Sequence, residues 1–254
     1  MQRRKFLSAA AASSLLPLGC AAASGQLQQT ETADEKELYE IRIYDMKFGA
    51  NSQPLTDYLK NALQPALLKA GANHVLFFNE ISTELPRKIW AMVSFPTMAT
   101  YLASQDLSGD SDFQAASATY HQASSMPFNR YESWLLHAFD GLPKMDDPVD
   151  GASVFEIRTY EGYSEDALRR KIKMFDDEEL PLFYKTGLNP VFFGKMLSGP
   201  YRPCLTYMLN FKDMEAHGKA WKAFIQSPEW NEMKGKPIYA NTVSNIRNTF
   251  LKPM

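Results

Sequence analysis

Glutamate, arginine and tyrosine occur at every second position in two places, as Glu40, Arg42 and Tyr44 and as Glu156, Arg158 and Tyr160. Side chains two apart in a strand share a face, so each trio presents a carboxylate, a guanidinium and a phenol together. A buried guanidinium is tolerated only when paired and hydrogen-bonded, and the nearby glutamate is a ready partner. Such a set could hold a carboxylate or enolate on the arginine while the tyrosine hydroxyl orients or protonates it. The alternative is a satisfied polar pair that keeps two sheets in register. His74, Trp90 and Asn210 are further candidates for a pocket lining.

The trios belong to a larger repetition. Tyr39 to Tyr44 returns as Phe155 to Tyr160, 116 residues on, and Pro65, Lys69, Gly71, Asn73, Val75 and Phe77 return as Pro181, Lys185, Gly187, Asn189, Val191 and Phe193. The offset persists at Met92 and Met208, and at Leu135 and Leu251. Two copies of this length predict a pair of similar subdomains about a pseudo-twofold axis, not a solenoid of short repeats. His74 has Pro190 as its counterpart, and broken symmetry is where one half could specialise.

Each copy has the same predicted elements. Tyr39 to Tyr44 alternates with period two, as a strand does, and Leu55, Tyr58, Leu59, Ala62, Leu63, Ala66, Leu67 and Ala70 follow helical spacing. Gly71 closes that helix in a left-handed conformation. Pro65 and Pro181 sit at equivalent places inside the helical pattern, which predicts a kink or a break there. Strands follow at His74 to Phe78 and Ile89 to Phe95, then helical segments at Met98 to Ser104 and Asp112 to Ser124, then a strand near Tyr131 to His137. The order is strand, helix, strand, strand, helix, strand, the ferredoxin-like split unit. The fold class is α+β, with two tandem ferredoxin-like units packed as an intrachain barrel. Two such sheets packed by their bare faces predict an incomplete barrel with a ligand cavity inside.

Alternation then assigns faces. Tyr39, Ile41 and Ile43 are expected under the helices, with Glu40, Arg42 and Tyr44 in the barrel, and the second trio likewise. His74, Leu76 and Phe78, with Trp90, Met92 and Ser94, should face the cavity, as should Thr206, Met208 and Asn210.

The expected organisation is a twin-arginine signal peptide over 1–23, a disordered linker over 24–37, a first unit over 38–139, an inter-unit linker over 140–151 and a second unit over 152–254. Arg3 and Arg4 precede a mildly apolar run too short to anchor a membrane span, and Ala21-Ala22-Ala23 suits cleavage before Ser24. Leu18-Gly19-Cys20 leaves lipidation of Cys20 as the competing fate, so the expected location is the periplasm or, with a lipid anchor, an outer surface. Hydrophobic residues make up 45% of the chain, enough for a real core, and a net charge of -2 gives no electrostatic reason to expect nucleic acid. Cys204 lacks a partner in the mature chain, so no disulfide framework exists. The acidic run Asp176 to Glu179 points several ways around a helix, reads as a solvated face, and predicts no metal site. His121, His137 and His217 are weak haem ligands, because nothing nearby in sequence fixes their direction.

Phe155-Glu156-Ile157-Arg158-Thr159-Tyr160, Leu180-Pro181 through Gly187 to Val191-Phe192-Phe193-Gly194, and Ser227-Pro228-Glu229-Trp230 together resemble the NIPSNAP proteins of the dimeric alpha+beta barrel superfamily. The resemblance covers most of the second unit; in the first, no glycine matches Gly194 and Asp112-Phe113 replaces the proline-glutamate-tryptophan start. It implies the duplicated barrel but no fixed reaction, since the superfamily includes haem-binding proteins, cofactor-free monooxygenases and isomerases. Two functions stay open: an exported protein that binds or transforms a small organic carbonyl or carboxylate compound in its barrel, with Arg and Tyr stabilising oxyanion charge, or a binding or assembly protein whose barrel is filled. A small-molecule ligand and a homo-oligomer are compatible with either, no cofactor is required, and haem is a third alternative.

Overall fold

The structure, a computed structural model, describes residues 36–82 and 84–254. The expected leader and most of the linker before Leu38 lie outside the described residues. The exception is informative: Glu37, read from sequence as the end of the linker, is buried. Its carboxylate accepts bonds from the Asn73 side chain at 2.5 Å and the Met145 backbone N–H at 2.8 Å.

The first unit contains β1 (Leu38–Met46), α1 (Gln53–Tyr58), α2 (Gln64–Lys69), β2 (His74–Glu80), β3 (Lys88–Phe95), α3 (Met98–Ala103), α4 (Ser111–His121) and β4 (Phe128–Ala138). The second contains β5 (Val154–Glu161), α5 (Glu165–Met174), α6 (Leu180–Thr186), β6 (Asn189–Ser198), β7 (Cys204–Phe211), α7 (Met214–Gln226), α8 (Pro228–Met233) and β8 (Asn245–Pro253). The strands close into one antiparallel barrel in the order β1-β3-β2-β8-β5-β7-β6-β4. The expected barrel is therefore present, but closed rather than incomplete. Closure removes most of the free sheet edge, and the last strand of each unit makes the seam. β4 pairs with β1 and with β6 of the other unit, while β8 pairs with β5 and with β2 through only Phe78–Glu80.

The proline-containing helices show how the sequence is accommodated. A π-helical turn, Leu59–Leu63, joins α1 to α2, and another, Phe175–Glu179, joins α5 to α6. Pro65 and Pro181 lie just beyond these turns, near the start of the next α segment, where a missing N–H costs least. The wider turn keeps the helix continuous in chain path while shifting its register. Gly187 then ends α6 with φ +80°, the left-handed cap that glycine adopts without a Cβ clash.

Three apolar layers result. One lies between the helices and sheet of each unit, and the third fills the barrel. Among the described residues no helix is long and apolar enough to cross a membrane.

Candidate functional site

The opening strands face the opposite way from the sequence expectation. Tyr39, Ile41 and Ile43 are in the barrel layer, together with Phe155 and Ile157. Glu40, Arg42 and Tyr44, and Glu156, Arg158 and Tyr160, therefore lie on the helix side. Strand register supplies the reason: Ile41 sits opposite Met92 and Ile157 opposite Met208. Directly paired residues share a face, and both methionines line the barrel. The assignments for Phe78, Trp90, Met92 and Met208 hold, whereas those for the two opening strands reverse. Alternation reports a period, but it cannot tell which buried face is which when both faces are covered.

On the helix side of the second unit, Glu156 is a hub. One carboxylate oxygen accepts from Arg158 Nη1 at 2.7 Å, and the other accepts from Trp221 Nε1 at 2.8 Å and lies 3.1 Å from His217 Nε2. The Arg158 guanidinium stacks 4.6 Å from the Trp221 ring. Burial opposes its charge, but the neighbouring Tyr207, Tyr160 and Glu156 outweigh that cost and hold its pKa above the usual arginine value. Tyr207 donates to the Tyr160 hydroxyl at 2.9 Å, and burial pushes both phenols upward. Deeper still, Lys171 donates to Glu179 at 2.6 Å, beneath the Phe175 ring at 4.3 Å. Burial raises the Glu179 carboxyl above its usual range and the lysine works against that rise.

Sequence reasoning did not find Tyr207, Lys171, Glu179, Trp221 or Ser133, and the direction of His217, which nothing nearby in sequence fixes, is set by Glu156. The acidic run is not a solvated face either. Glu179 is buried on Lys171, Glu178 accepts from Lys236 and Tyr239, Asp177 pairs with Lys173, and Asp176 accepts from the Gly141 backbone. Four acids, each held by partners of its own, form no metal cage, and among the described residues no His, Cys, Asp or Glu cluster could hold a metal ion.

The first unit is simpler. Glu40 accepts from Arg42 at 2.8 Å and from Ser133 at 2.8 Å. Tyr44 packs against Phe128 and Tyr131.

The barrel interior is occupied by side chains that meet across it. Tyr39 reaches Phe192 at 5.0 Å between ring centroids, Phe78 reaches Phe155 at 4.8 Å, and Trp90 reaches Trp134 at 5.9 Å. Gly194 makes this fit: a Cβ there would come within 2.8 Å of Leu136 and 3.4 Å of Tyr39. Its counterpart in the first unit is Phe78, so one half supplies bulk where the other yields space. The expected ligand cavity within the barrel is thus a core. Cys204 lies in this core, where burial and the nearby Glu161 charge raise its thiol to about 11. Of the remaining candidates, Trp90 donates to Glu80 at 3.0 Å and Asn210 accepts from the Val149 backbone at 2.9 Å, so both pin the barrel ends. The residues do not suit haem. His217 is held on Glu156 and wedged between Phe211 and Phe250, and the filled barrel leaves no room for a porphyrin.

Concave space occurs elsewhere, at the β2–β8 seam. A cleft of ≈ 570 Å³ is floored by Leu76, Phe78, Phe155 and Pro148 and rimmed by Lys60, Asn61 and Gln64. Because the β2–β8 ladder spans only Phe78–Glu80, the start of β2 continues past its partner strand. Gln64 donates to the Val75 carbonyl at 2.9 Å and so caps that edge. His74, the asymmetric histidine, stands at the head of this strand. Its Nδ1 lies 3.0 Å from Ser94 Oγ, and its Nε2 lies 3.6 Å from Asp147 on the linker.

Comparison with known proteins agrees with this architecture. Residues 155–254 match the NIPSNAP family model. A proposed monooxygenase from Lactobacillus acidophilus NCFM superposes with a TM-score of 0.56 at 12% identity, over 86% of this chain and 94% of that one. A second proposed monooxygenase, from Fusobacterium nucleatum, gives 0.51 at 10% identity, over 86% and 92% of the respective chains. A NIPSNAP-like domain protein from Burkholderia xenovorans is 20% identical, with a TM-score of 0.37, over 41% of this chain and 87% of its own. No curated protein sequence gives a significant match. At such identities the likeness is one of fold. Residues 155–254 are thus similar to NIPSNAP domains, and the described residues form one closed alpha+beta barrel within a single polypeptide.

Proposed function

We propose that the protein is exported and binds a small organic carboxylate or carbonyl compound, in the cleft at the β2–β8 seam rather than inside the barrel. The carrying observation is the cleft itself. At ≈ 570 Å³ it falls within the range of ligand pockets, and an apolar floor with a few polar groups at its rim is their usual chemistry. Lys60 supplies positive charge at the mouth, and Asn61 and Gln64 supply amide donors for an oxygen-bearing head group. The two Glu–Arg pairs are then polar ties between sheet and helices, because their charges are already spent on protein partners.

Titration calorimetry with phenylacetate tests this reading on the purified protein. Asn61→Trp, at the exposed rim, should abolish binding while leaving the melting temperature unchanged. Undiminished binding to that variant would place the site elsewhere, and no binding to the wild type would remove the carboxylate reading. Export through the twin-arginine route is proposed from Arg3 and Arg4; their replacement by Lys should retain precursor in the cytoplasm.

A further inference from the structure

The β4–β6 seam leaves part of a strand unpaired. β4 pairs with β1 from Phe128 to His137, but β6 meets it only from Leu135 onward, so Asn129, Arg130, Tyr131, Glu132 and Ser133 keep a free edge among the described residues. All five are exposed. The ladder fixes which backbone groups point outward. The Ala138 N–H bonds to the Glu37 carbonyl, so in the register that follows, Leu136, Trp134, Glu132 and Arg130 turn their N–H and C=O toward β1. Asn129, Tyr131 and Ser133 turn theirs to the free edge, and such a row of unpaired groups is a template for another strand.

That edge is complementary to itself. In an antiparallel pairing of two copies centred on Tyr131, Tyr131 meets its own counterpart, Asn129 meets Ser133 and Arg130 meets Glu132. Every outward N–H of Asn129, Tyr131 and Ser133 then finds an outward carbonyl. Arg130 and Glu132 fall at the closely spaced positions between, where opposite charges directly across from each other are favourable. The Arg130 side chain donates to Asp45 at 3.0 Å, is 70% exposed and has further N–H groups to give. Glu132 accepts only a long bond, 3.3 Å, from Trp134 Nε1 among its described side-chain contacts. The half-exposed Tyr131 ring, which packs on Tyr44 at 5.2 Å, would be covered. The second half does not repeat this pattern. Tyr131 pairs with Tyr44 as Ile246 pairs with Tyr160, and a pairing centred on Ile246 would set Arg247 against Asn245, with no opposite charge. Arg247 is also held by Glu161.

We propose that β4 is the contact strand of a twofold homodimer, in which residues 129–133 of two copies pair antiparallel about Tyr131 and join the barrels edge to edge. The contact is isologous, and its small size makes the dimer reversible. It lies at the opposite seam from the cleft and stands apart from the ligand reading.

Sedimentation velocity on the full chain, over a micromolar concentration series at low salt, tests this. Wild-type protein should pass from monomer to dimer, and high salt should weaken the dimer. Glu132→Arg sets like charges across the twofold while leaving Arg130 on Asp45, and should weaken association by about tenfold or more. Arg130→Glu should do the same. Mixed together, these two variants oppose arginine to glutamate at both positions and should form a heterodimer near wild-type strength, a rescue that damage to the fold cannot produce. Tyr131→Pro removes one outward N–H and spares the β1 ladder, as proline does on an edge strand, so it should give a monomer with unchanged circular dichroism. A wild-type monomer throughout the series, a dimer that Glu132→Arg and Tyr131→Pro leave intact, or a mixture of the two folded charge variants that stays monomeric would overturn the proposal. If Arg130→Glu does not fold, Glu132→Arg and Tyr131→Pro decide it.

Discussion

The two halves of this protein share a backbone plan and differ in what they bury beneath their helices. In the second half, Lys171 and Glu179 form an ion pair inside the helix layer, and Tyr207 bonds to Tyr160. The equivalent positions in the first half carry Leu55, Leu63 and Ala91, all within an apolar layer. The fold itself therefore does not require the ion pair. One copy reaches a closed helix layer with hydrocarbon alone, and the other carries charge that must be paired to be tolerated.

That difference predicts the largest effect. Lys171→Leu copies the first half at one position only and strands Glu179 as an unpaired buried carboxylate, which should cost about 3–5 kcal/mol in chemical denaturation. Lys171→Leu with Glu179→Leu completes the copy and should recover that loss, ending about 1–4 kcal/mol above wild type. A double variant no better than the single one would show that the pair does more than fill space.

The pH dependence has a definite sign. The folded Glu179 carboxyl lies above its unfolded value of 4.5, so between those two values the native state holds the extra proton. Stability attributable to this group therefore falls as pH rises through that window and is lowest above the folded value. The double variant should lack this component when melting is followed from neutral to acid pH.

The next contrast concerns the two glutamates. Glu156 serves Arg158, Trp221 and His217, whereas Glu40 serves Arg42 and Ser133. Removing Glu156 leaves an arginine and an indole N–H unsatisfied beneath α7. Glu156→Ala should therefore exceed Glu40→Ala in cost by about 1–3 kcal/mol, measured by denaturant unfolding. Equal costs would mean that α7 relaxes to hydrate its own donors.

How much of this was legible in the sequence follows from what each signal measures. The repeat, the strand and helix order and the break near Pro65 and Pro181 are local patterns, and they appear in the structure. The faces of β1 and β5 were not legible, because Ile41 and Arg42 are both covered and only pairing with Met92 and Ala91 separates inside from outside. Glu179 was hidden in a run of acids that suggests water, and its partner is eight residues away across a π-helical turn. The cleft depends on where β8 stops pairing with β2, a tertiary fact with no sequence motif. His74 was singled out because its repeat partner is proline, an asymmetry that the sequence shows by itself.

The smallest predicted effect lies in the barrel. Tyr39 and Phe155 occupy equivalent positions in the barrel layer. The Tyr39 hydroxyl is buried without a partner among the described residues, and burial, with the nearby Glu37 and Asp146 charges, pushes its pKa upward. An unsatisfied buried hydroxyl is a cost, and removing it leaves ring packing against Phe192 intact. Tyr39→Phe, which makes the first half match the second, should therefore leave stability unchanged or raise it by up to about 1 kcal/mol. A loss of more than about 1 kcal/mol in denaturant unfolding would show that the hydroxyl has a bonding role, and that the two opening strands differ inside the barrel as well as beneath the helices.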